Sequence, residues 1–278
     1  MNDNLAKMRE AAKRALESGD VGYVIGWGAT KFPDKTSPLF MRKPEDAERL
    51  VWNEYAIPGI AKYLLDDLYP DKPIGVFVRG CDSRAINRMM KDNRIKRENL
   101  RLLGIPCDGK DDERCTICRN RNPLVYDELL WDEAPTPEPK DRYFRANAVE
   151  AMSADGRYAY WSEVFDQCIR CYACRNICPA CNCKECYVDM TATGFQGKQH
   201  SRSDNLIFGV TRAFHVGDRC IECGECERVC PMGLPIMGQT QKILKDINEL
   251  VGDYESGVDA ESENYLGVFD LDDKDEFM

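Results

Sequence analysis

The chain carries one cysteine pattern twice, as C-I-R-C-Y-A-C-R-N-I-C-P from Cys168 to Pro179 and as C-I-E-C-G-E-C-E-R-V-C-P from Cys220 to Pro231. Both read C-x2-C-x2-C-x3-C-P, and together they use eight of the 15 cysteines. Three thiolates spaced this closely in a tight loop can cap three irons of one cubane, while the fourth lies a helical turn further along. Disulfides and structural zinc are the competing readings. Met1 to Gly19 shows no apolar secretory core, and reducing compartments keep thiols reduced. Zinc sites present four sulfurs in two separated C-x2-C knuckles. Neither describes two complete four-cysteine runs that each end in Cys-Pro.

The spacing is that of the bacterial dicluster ferredoxins, in which the last cysteine of each run ligates the other run's cluster. One 4Fe-4S cluster is therefore expected on Cys168, Cys171, Cys174 and Cys230, and a second on Cys220, Cys223, Cys226 and Cys178. Between the runs lies an insertion, Ala180 to Arg219, with three more cysteines in C-N-C-K-E-C: Cys181, Cys183 and Cys186. Three thiols cannot complete a four-thiolate cubane alone. They read as buried or inert thiols, with extra ligation as the alternative and Cys181 as a rival to Cys178. His200 and His215 fit no metal spacing. Tyr158, Tyr160, Trp161, Phe165 and Tyr172 crowd the first run and read as apolar cover for a cluster.

N-terminal to these runs the pattern changes to that of an α/β domain. Residues 3–18 read as an amphipathic helix ending at Gly19, and Val21 to Thr30 as an apolar strand with Gly22, Gly26 and Gly28. Those glycines suit either a turn beside a buried strand or a close approach to a flavin or nucleotide, although the G-x-G-x-x-G fingerprint is absent. Pro44 to Leu68 shows helical periodicity on either side of Pro58-Gly59, as two helices or one broken helix. Ile74 to Val78 reads as a strand, Gly80-Cys81-Asp82 as a turn, Asp82 as the cap of a helix carrying Ile86, Met89 and Met90, and Leu100 to Ile105 as a second strand. A strand-helix-strand unit makes the two strands parallel. Cys81 and Cys107 then lie just past the C-terminal ends of their strands, on the edge where open α/β sheets hold ligands. Cys115 and Cys118 follow as a C-x2-C. These four cysteines read as a third 4Fe-4S site, with a one-knuckle zinc site and free thiols as the alternatives.

The expected architecture is α+β. An N-terminal α/β domain with parallel strands (1–133) leads through a Pro-rich linker (134–140) into a dicluster ferredoxin-like domain with an insertion (141–250) and an acidic tail (251–278). The net charge of −10 is concentrated there, since residues 251–278 alone carry −9. Aromatic and aliphatic residues interrupt the acid, so the tail reads either as a solvated end or as a docking arm for a basic partner surface. Thr240 to Leu250 reads as an amphipathic helix. With no basic face, nucleic-acid binding is disfavoured. No apolar run approaches the roughly 20 residues of a membrane span, and a cytoplasmic location is expected.

Val-Arg-Gly-Cys81-Asp-Ser-Arg-Ala, Gly-Ile-Pro-Cys107-Asp-Gly and the run Cys168 to Cys186 together resemble a group of iron-sulfur electron-transfer subunits. The group contains the beta subunit of sulfhydrogenase and the 4Fe-4S dicluster component of anaerobic sulfite reductase. Related proteins accompany heterodisulfide reductases. A looser similarity joins the first part to beta subunits of deazaflavin-dependent hydrogenases and formate dehydrogenases. The resemblance implies a relay between a flavin subunit handling a nicotinamide cofactor and a catalytic subunit. This chain departs from the sulfite reductase relatives in carrying Gly80 before Cys81, where Pro is expected. The residues themselves show no triad or acid-base pair, which points to electron transfer rather than bond chemistry. The alternative is a subunit that binds FAD or a deazaflavin and transfers hydride itself.

Overall fold

The computed structural model describes residues 2–65, 72–110, 112–135, 137–138, 140–190, 197, 200–262 and 264–266. Its first half is built on a five-stranded sheet: β1 (Tyr23–Ala29), β2 (Thr36–Met41), β3 (Ile74–Val78), β4 (Leu100–Gly104) and β5 (Glu128–Leu129), in the spatial order β2-β1-β3-β4-β5. β1 and β2 are antiparallel, and the other three pairings are parallel. β3 is buried along its whole length, as a strand covered on both faces must be. Pro38 is accommodated because β2 is an edge strand.

The strand-helix-strand unit has the expected form, with Ile74 opposite Leu100 and Val78 opposite Gly104. Its crossover helix, α2 (Gly80–Lys91), begins one residue after Arg79, so Cys81 lies in the first helical turn rather than in a turn before the helix. Asp82 is correspondingly not the cap but the third helical residue. Its carboxylate accepts from the Arg79 backbone N–H (3.3 Å), from Arg79 Nε (2.6 Å) and from the Ile60 N–H (3.2 Å).

That buried ion pair explains a second departure. Pro44 to Leu68 forms only two short 3-10 segments, Pro44–Arg49 and Ala61–Leu65, with residues 66–68 outside the described chain. The stretch between them is irregular because the Arg79 guanidinium takes the carbonyls of Ala56 (2.7 Å), Ile57 (3.2 Å) and Pro58 (3.0 Å), which a helix would have paired internally. Arg79 also stacks over Trp27, 4.6 Å from the ring centre. The glycines of β1 face the core: a Cβ on Gly26 would meet Leu50 at 2.5 Å, and one on Gly28 would meet Leu39 at 3.2 Å. Packing requires Gly26 and Gly28 to be small.

α1 (Asn2–Glu17) packs Met8, Ala11 and Ala12 into the same core. Among the described residues, the short α3 (Glu113–Thr116) is followed in the second half by α4 (Phe144–Glu150), α5 (Ala154–Asp166), α6 (Ala173–Ile177), α7 (Arg202–Val216), α8 (Glu225–Arg228) and α9 (Met237–Leu250). The two halves are closely packed. Ile221, inside the second cysteine run, belongs to the hydrophobic core of the sheet, and Lys62 reaches across to the carbonyls of Cys178 (3.0 Å) and Cys181 (2.7 Å). Asp92 at the end of α2 pairs with Arg88 and, at 2.5 Å, with Arg219. Among the described residues, no helix is long and apolar enough to cross a membrane.

Part of the described tail packs on the body of the protein, while Val251, Tyr265 and Leu266 remain exposed. The packed part crosses α2 as a strap: Arg84 Nη2 donates to Ser256 O (2.8 Å), Asn87 to Gly257 O and Val258 O (both 3.1 Å), and Arg88 to Asn264 (2.6 Å). Glu255 pairs with Arg84 at 2.8 Å, and the Tyr254 hydroxyl donates to Asp218 O at 2.6 Å. The buried carbonyls of Ser256 and Gly257 and the buried Arg84 and Asn87 side chains satisfy one another, which a sequence count of acids does not reveal. Residues 267–278 lie outside the described chain.

Gly257 has φ +77°, and a Cβ there would sit 2.3 Å from Arg84 O. Gly257→Val is expected to release the strap at a cost of about 1–3 kcal/mol. Faster proteolysis at residues 254–266 and a lower melting temperature are the readouts, and truncation after Val251 should reproduce both.

Candidate cluster sites

Both cysteine runs fold into the same loop. At the second and fourth residues after the first cysteine the backbone is left-handed: Arg170 (φ 51°) and Tyr172 (58°) in the first run, Glu222 (56°) and Gly224 (69°) in the second. Three of these four are not glycine, and such conformations cost of order 1–3 kcal/mol each unless the surroundings impose them. The loop that results turns amide N–H groups toward sulfur. Arg170 N donates to Cys168 Sγ and Glu222 N to Cys220 Sγ, both at 3.4 Å. After each loop a short helix, α6 or α8, carries the chain to the last cysteine of the run.

The geometry is crosswise. Cys168, Cys171 and Cys174 of the first run line one cavity together with Cys230 of the second, closed by Phe165, Tyr172, Phe208, Leu234 and Ile236. Cys178 instead stands among Cys220, Cys223 and Cys226, each of whose thiols feels its charge. Burial pushes the Cys220 thiol up to about 11 and raises those of Cys223, Cys226, Cys168 and Cys174. Cys178 goes the other way, because the Cys181 thiol donates a hydrogen bond to it. Cys181 is held protonated by the same contact.

Of the five aromatics expected to cover the first run, Tyr160, Trp161, Phe165 and Tyr172 do so: Trp161 stacks on Phe165, and Tyr172 meets Phe208 edge-on. Tyr158 does not, being 69% exposed on the outer face of α5. Further cover comes from α7 in the insertion, which sequence reasoning missed although Asn205, Phe208, Gly209, Arg212, Ala213 and Val216 recur at helical spacing behind the capping Ser201. Asn205 Nδ2 donates to Phe165 O (3.0 Å) and Cys168 O (2.8 Å), and Arg212 donates to Cys174 O (3.2 Å). His200 approaches Cys168 O at 2.6 Å.

In the first half, Cys81, Cys107, Cys115 and Cys118 line a single cavity of about 60 Å³. Arg79 sets the position of Cys81 through Asp82. Cys107 follows β4, with its N–H donating to Arg121 O at 3.0 Å. Asp112 caps α3 by accepting from Arg114 N at 3.0 Å, and this turns the C-x2-C back toward the sheet edge. Gly80 explains the departure from proline: a Cβ there would lie 1.9 Å from Asn120 O, so only glycine lets the strand after Cys118 pass. Burial raises the Cys81 thiol to about 12 and pushes Cys118 up as well.

Arg79, Arg84, Lys110, Arg114, Arg119 and Arg121 line this cavity against the single carboxylate of Glu222. Arg79, Arg84, Arg114 and Arg119 are themselves ion-paired with Asp82, Glu255 and Glu225, and the four convergent sulfurs suit the ligand set of an iron-sulfur centre. Cys223 lines the same cavity, and Arg114 joins the halves by donating to Cys223 O (2.6 Å), pairing with Glu225 and taking Ile57 O. Gly80→Ala should cost about 1–3 kcal/mol by overpacking. Iron analysis should show the first-half site depleted and the signals of the second half retained.

A family described as 4Fe-4S dicluster domain matches residues 164–234, the segment holding both runs. The beta subunit of the F420-dependent formate dehydrogenase of Methanocaldococcus jannaschii is 36% identical over 99 residues, which is 36% of this chain and 25% of that protein. The beta subunit of F420-dependent formate dehydrogenase 1 of Methanococcus maripaludis is 37% identical over 284 aligned residues, covering 93% of this chain and 72% of that protein. The chain thus spans only a quarter of one relative and most of the other. Its cofactors are 4Fe-4S clusters, carried by a domain whose two loops, sulfur-directed amides and crosswise thiols suit them. Aligned along nearly its whole length, the chain belongs to the family of the F420-dependent formate dehydrogenase beta subunits.

Proposed function

We propose that this chain is the electron-relay subunit of a cytoplasmic oxidoreductase complex of the formate dehydrogenase type. It would pass electrons between a subunit handling a flavin, nicotinamide or deazaflavin carrier and a catalytic subunit. The relatives' names favour formate dehydrogenase over the sulfhydrogenase, sulfite reductase and heterodisulfide reductase types. The single observation that carries the relay reading is the continuity of the thiol sites. Cys223, a member of the second run, also lines the cavity of Cys81, Cys107, Cys115 and Cys118.

Bound clusters supply one-electron exchange; the chain's residues supply position, charge and shielding. In this reading Cys168, Cys171, Cys174 and Cys230 hold one cluster, Cys220, Cys223, Cys226 and Cys178 the second, and Cys81, Cys107, Cys115 and Cys118 a third. Cys178 is assigned as the ligand by its place as the last cysteine of the run, with Cys181 beside it. Lys110 and Arg121 line the third site and add positive charge there, and Trp161, Phe165 and Phe208 exclude water from the first. Hydride transfer by the chain itself lacks comparable support, since the β1 glycines are engaged in the core. Acid release of flavin from the isolated chain would revive it.

Two measurements test the assignment. Cys230→Ala should abolish the cluster signal that depends on Cys168, Cys171 and Cys174, and a loss confined to the Cys220 set would refute crosswise ligation. Anaerobically purified chain should contain about twelve irons, and Cys81→Ser with Cys107→Ser about eight. A fully loaded wild-type chain with eight irons, or with zinc in the first half, would remove the third cluster.

A further inference from the structure

Cys181, Cys183 and Cys186 of the insertion belong neither to a ferredoxin set nor to the Cys81 site. The expectation that they are buried, inert thiols does not hold in the fold. A free cysteine kept only for packing is a small hydrophobe and is among the most buried residue types. Here Cys183 is exposed, and Cys181 and Cys186 are half-buried. All three line one cavity of about 390 Å³, larger than the cavity of about 60 Å³ at Cys81.

The C-N-C-K-E-C loop is pinned so that its thiols share that space. Asn182, between Cys181 and Cys183, is 5% exposed and turns into the body of the protein. Its Nδ2 donates to Asp92 (2.6 Å) and Pro179 O (3.1 Å), and its Oδ1 accepts from Arg219 (3.0 Å). Lys62 holds the Cys181 carbonyl at 2.7 Å. At the far end the Asp189 N–H donates to Cys186 O at 2.8 Å, and the Asp189 carboxylate pairs with Arg175 at 2.7 Å. Tyr187, next to Cys186, meets the His215 ring edge-on with centroids 5.1 Å apart, and His215 lines the same cavity from α7. Three sulfurs and an imidazole thus border one space.

The polar lining suits a sulfur-rich anion. Among the described residues Asp189 is the single carboxylate lining the cavity, and Arg175 takes it. Arg212 donates to Cys174 O and Arg219 to Asp92 through their Nη2 atoms, while the buried Nε of each has no acceptor. Buried donors call for an acceptor, and cluster sulfurs accept hydrogen bonds. Among the described residues no three Cys, His, Asp or Glu side chains are grouped as a single metal ion requires, here or in the ferredoxin runs. The donors therefore fit a polynuclear centre rather than zinc.

We propose that Cys181, Cys183, Cys186 and His215 hold a further 4Fe-4S cluster, with three irons capped by thiolates and the fourth by imidazole. Imidazole stands in for thiolate on iron in Rieske centres. Iron displaces the thiol protons on binding, that of Cys181 included. Cys181 follows Cys178 by three residues, so the site adjoins the second ferredoxin set and gives the relay an end at the surface, beside the exposed Cys183. The same exposure makes the cluster labile: purification leaves the about twelve irons of the relay, and reconstitution adds about four.

The test is a difference between chains that share every other cysteine, so a failure of the three-cluster relay lowers all counts alike and leaves the difference readable. Full-length wild type, the double variant Cys183→Ser with Cys186→Ser, and His215→Ala are purified anaerobically and reconstituted with ferrous iron and sulfide. Iron, acid-labile sulfide and zinc are counted after unbound metal is removed. Wild type should hold about four irons and four sulfides more than the double variant, with the ferredoxin signals equal in both. His215→Ala should lose the fourth iron and, after oxidation, show the electron paramagnetic resonance of a three-iron cluster. Equal iron in wild type and the double variant overturns the proposal, as does zinc in place of the extra iron. A four-iron site that persists in His215→Ala overturns the ligand set. Should the double variant fail to fold, His215→Ala decides, since His215 is exposed and its loss leaves no cavity in the core.

Discussion

Sulfur ligands withdrawn from water must meet positive charge or hydrogen-bond donors, and this constraint organises the molecule. In the ferredoxin half the donors are backbone amides, aimed at Cys168 and Cys220 by left-handed residues at Arg170, Tyr172, Glu222 and Gly224. At the sheet edge the answer is a ring of arginines and a lysine around Cys81 and its neighbours. The same side chains also hold the architecture. Arg79 fastens residues 56–58 and Asp82 while lining the cavity, and Arg114 ties that cavity to the carbonyl of Cys223.

Close packing between the halves follows from these shared side chains. Ile221 enters the core of the sheet, Lys62 binds the carbonyls of Cys178 and Cys181, and Ser256, Gly257, Val258 and Asn264 bind α2, whose first turn holds Cys81. A proline-punctuated linker in the sequence suggests two independently moving bodies. Yet Ala134, its first residue, is buried and exchanges hydrogen bonds with Asn122 at 2.8 and 2.9 Å. For electron transfer this packing has a consequence, since cysteine sites in different halves adjoin in the folded chain without any domain motion.

The insertion shows how a fold adapts a duplicated motif. Gly209 lets α7 approach α5, where a Cβ would meet the Phe165 ring at 2.2 Å, and that approach brings Asn205 and Arg212 onto the carbonyls of Cys168 and Cys174. The Cys181 backbone N–H meanwhile donates to Cys178 O at 3.1 Å. Asn182, buried beside it, joins Asp92 to Arg219 and fixes the C-N-C loop against the end of α2.

By itself the sequence determined the two cysteine loops, their cofactor class and the parallel strand-helix-strand unit, because each is a local pattern: spacing for thiols, periodicity for strands and helices. The place of Cys81 and Cys107 at one sheet edge was legible for the same reason. Tertiary structure decided what depends on residues far apart in the chain. Only it shows that Asp82 caps α2 from the third helical position while also holding the Arg79 guanidinium, that Gly80 yields to Asn120, and that Gly26 and Gly28 of β1 yield to Leu50 and Leu39. It also lays residues 256–258 of the tail across α2 and brings Arg212 to the cavity of Cys168, Cys171, Cys174 and Cys230. Composition counts charges, but only folding decides which of them meet, and burial is what makes each meeting matter.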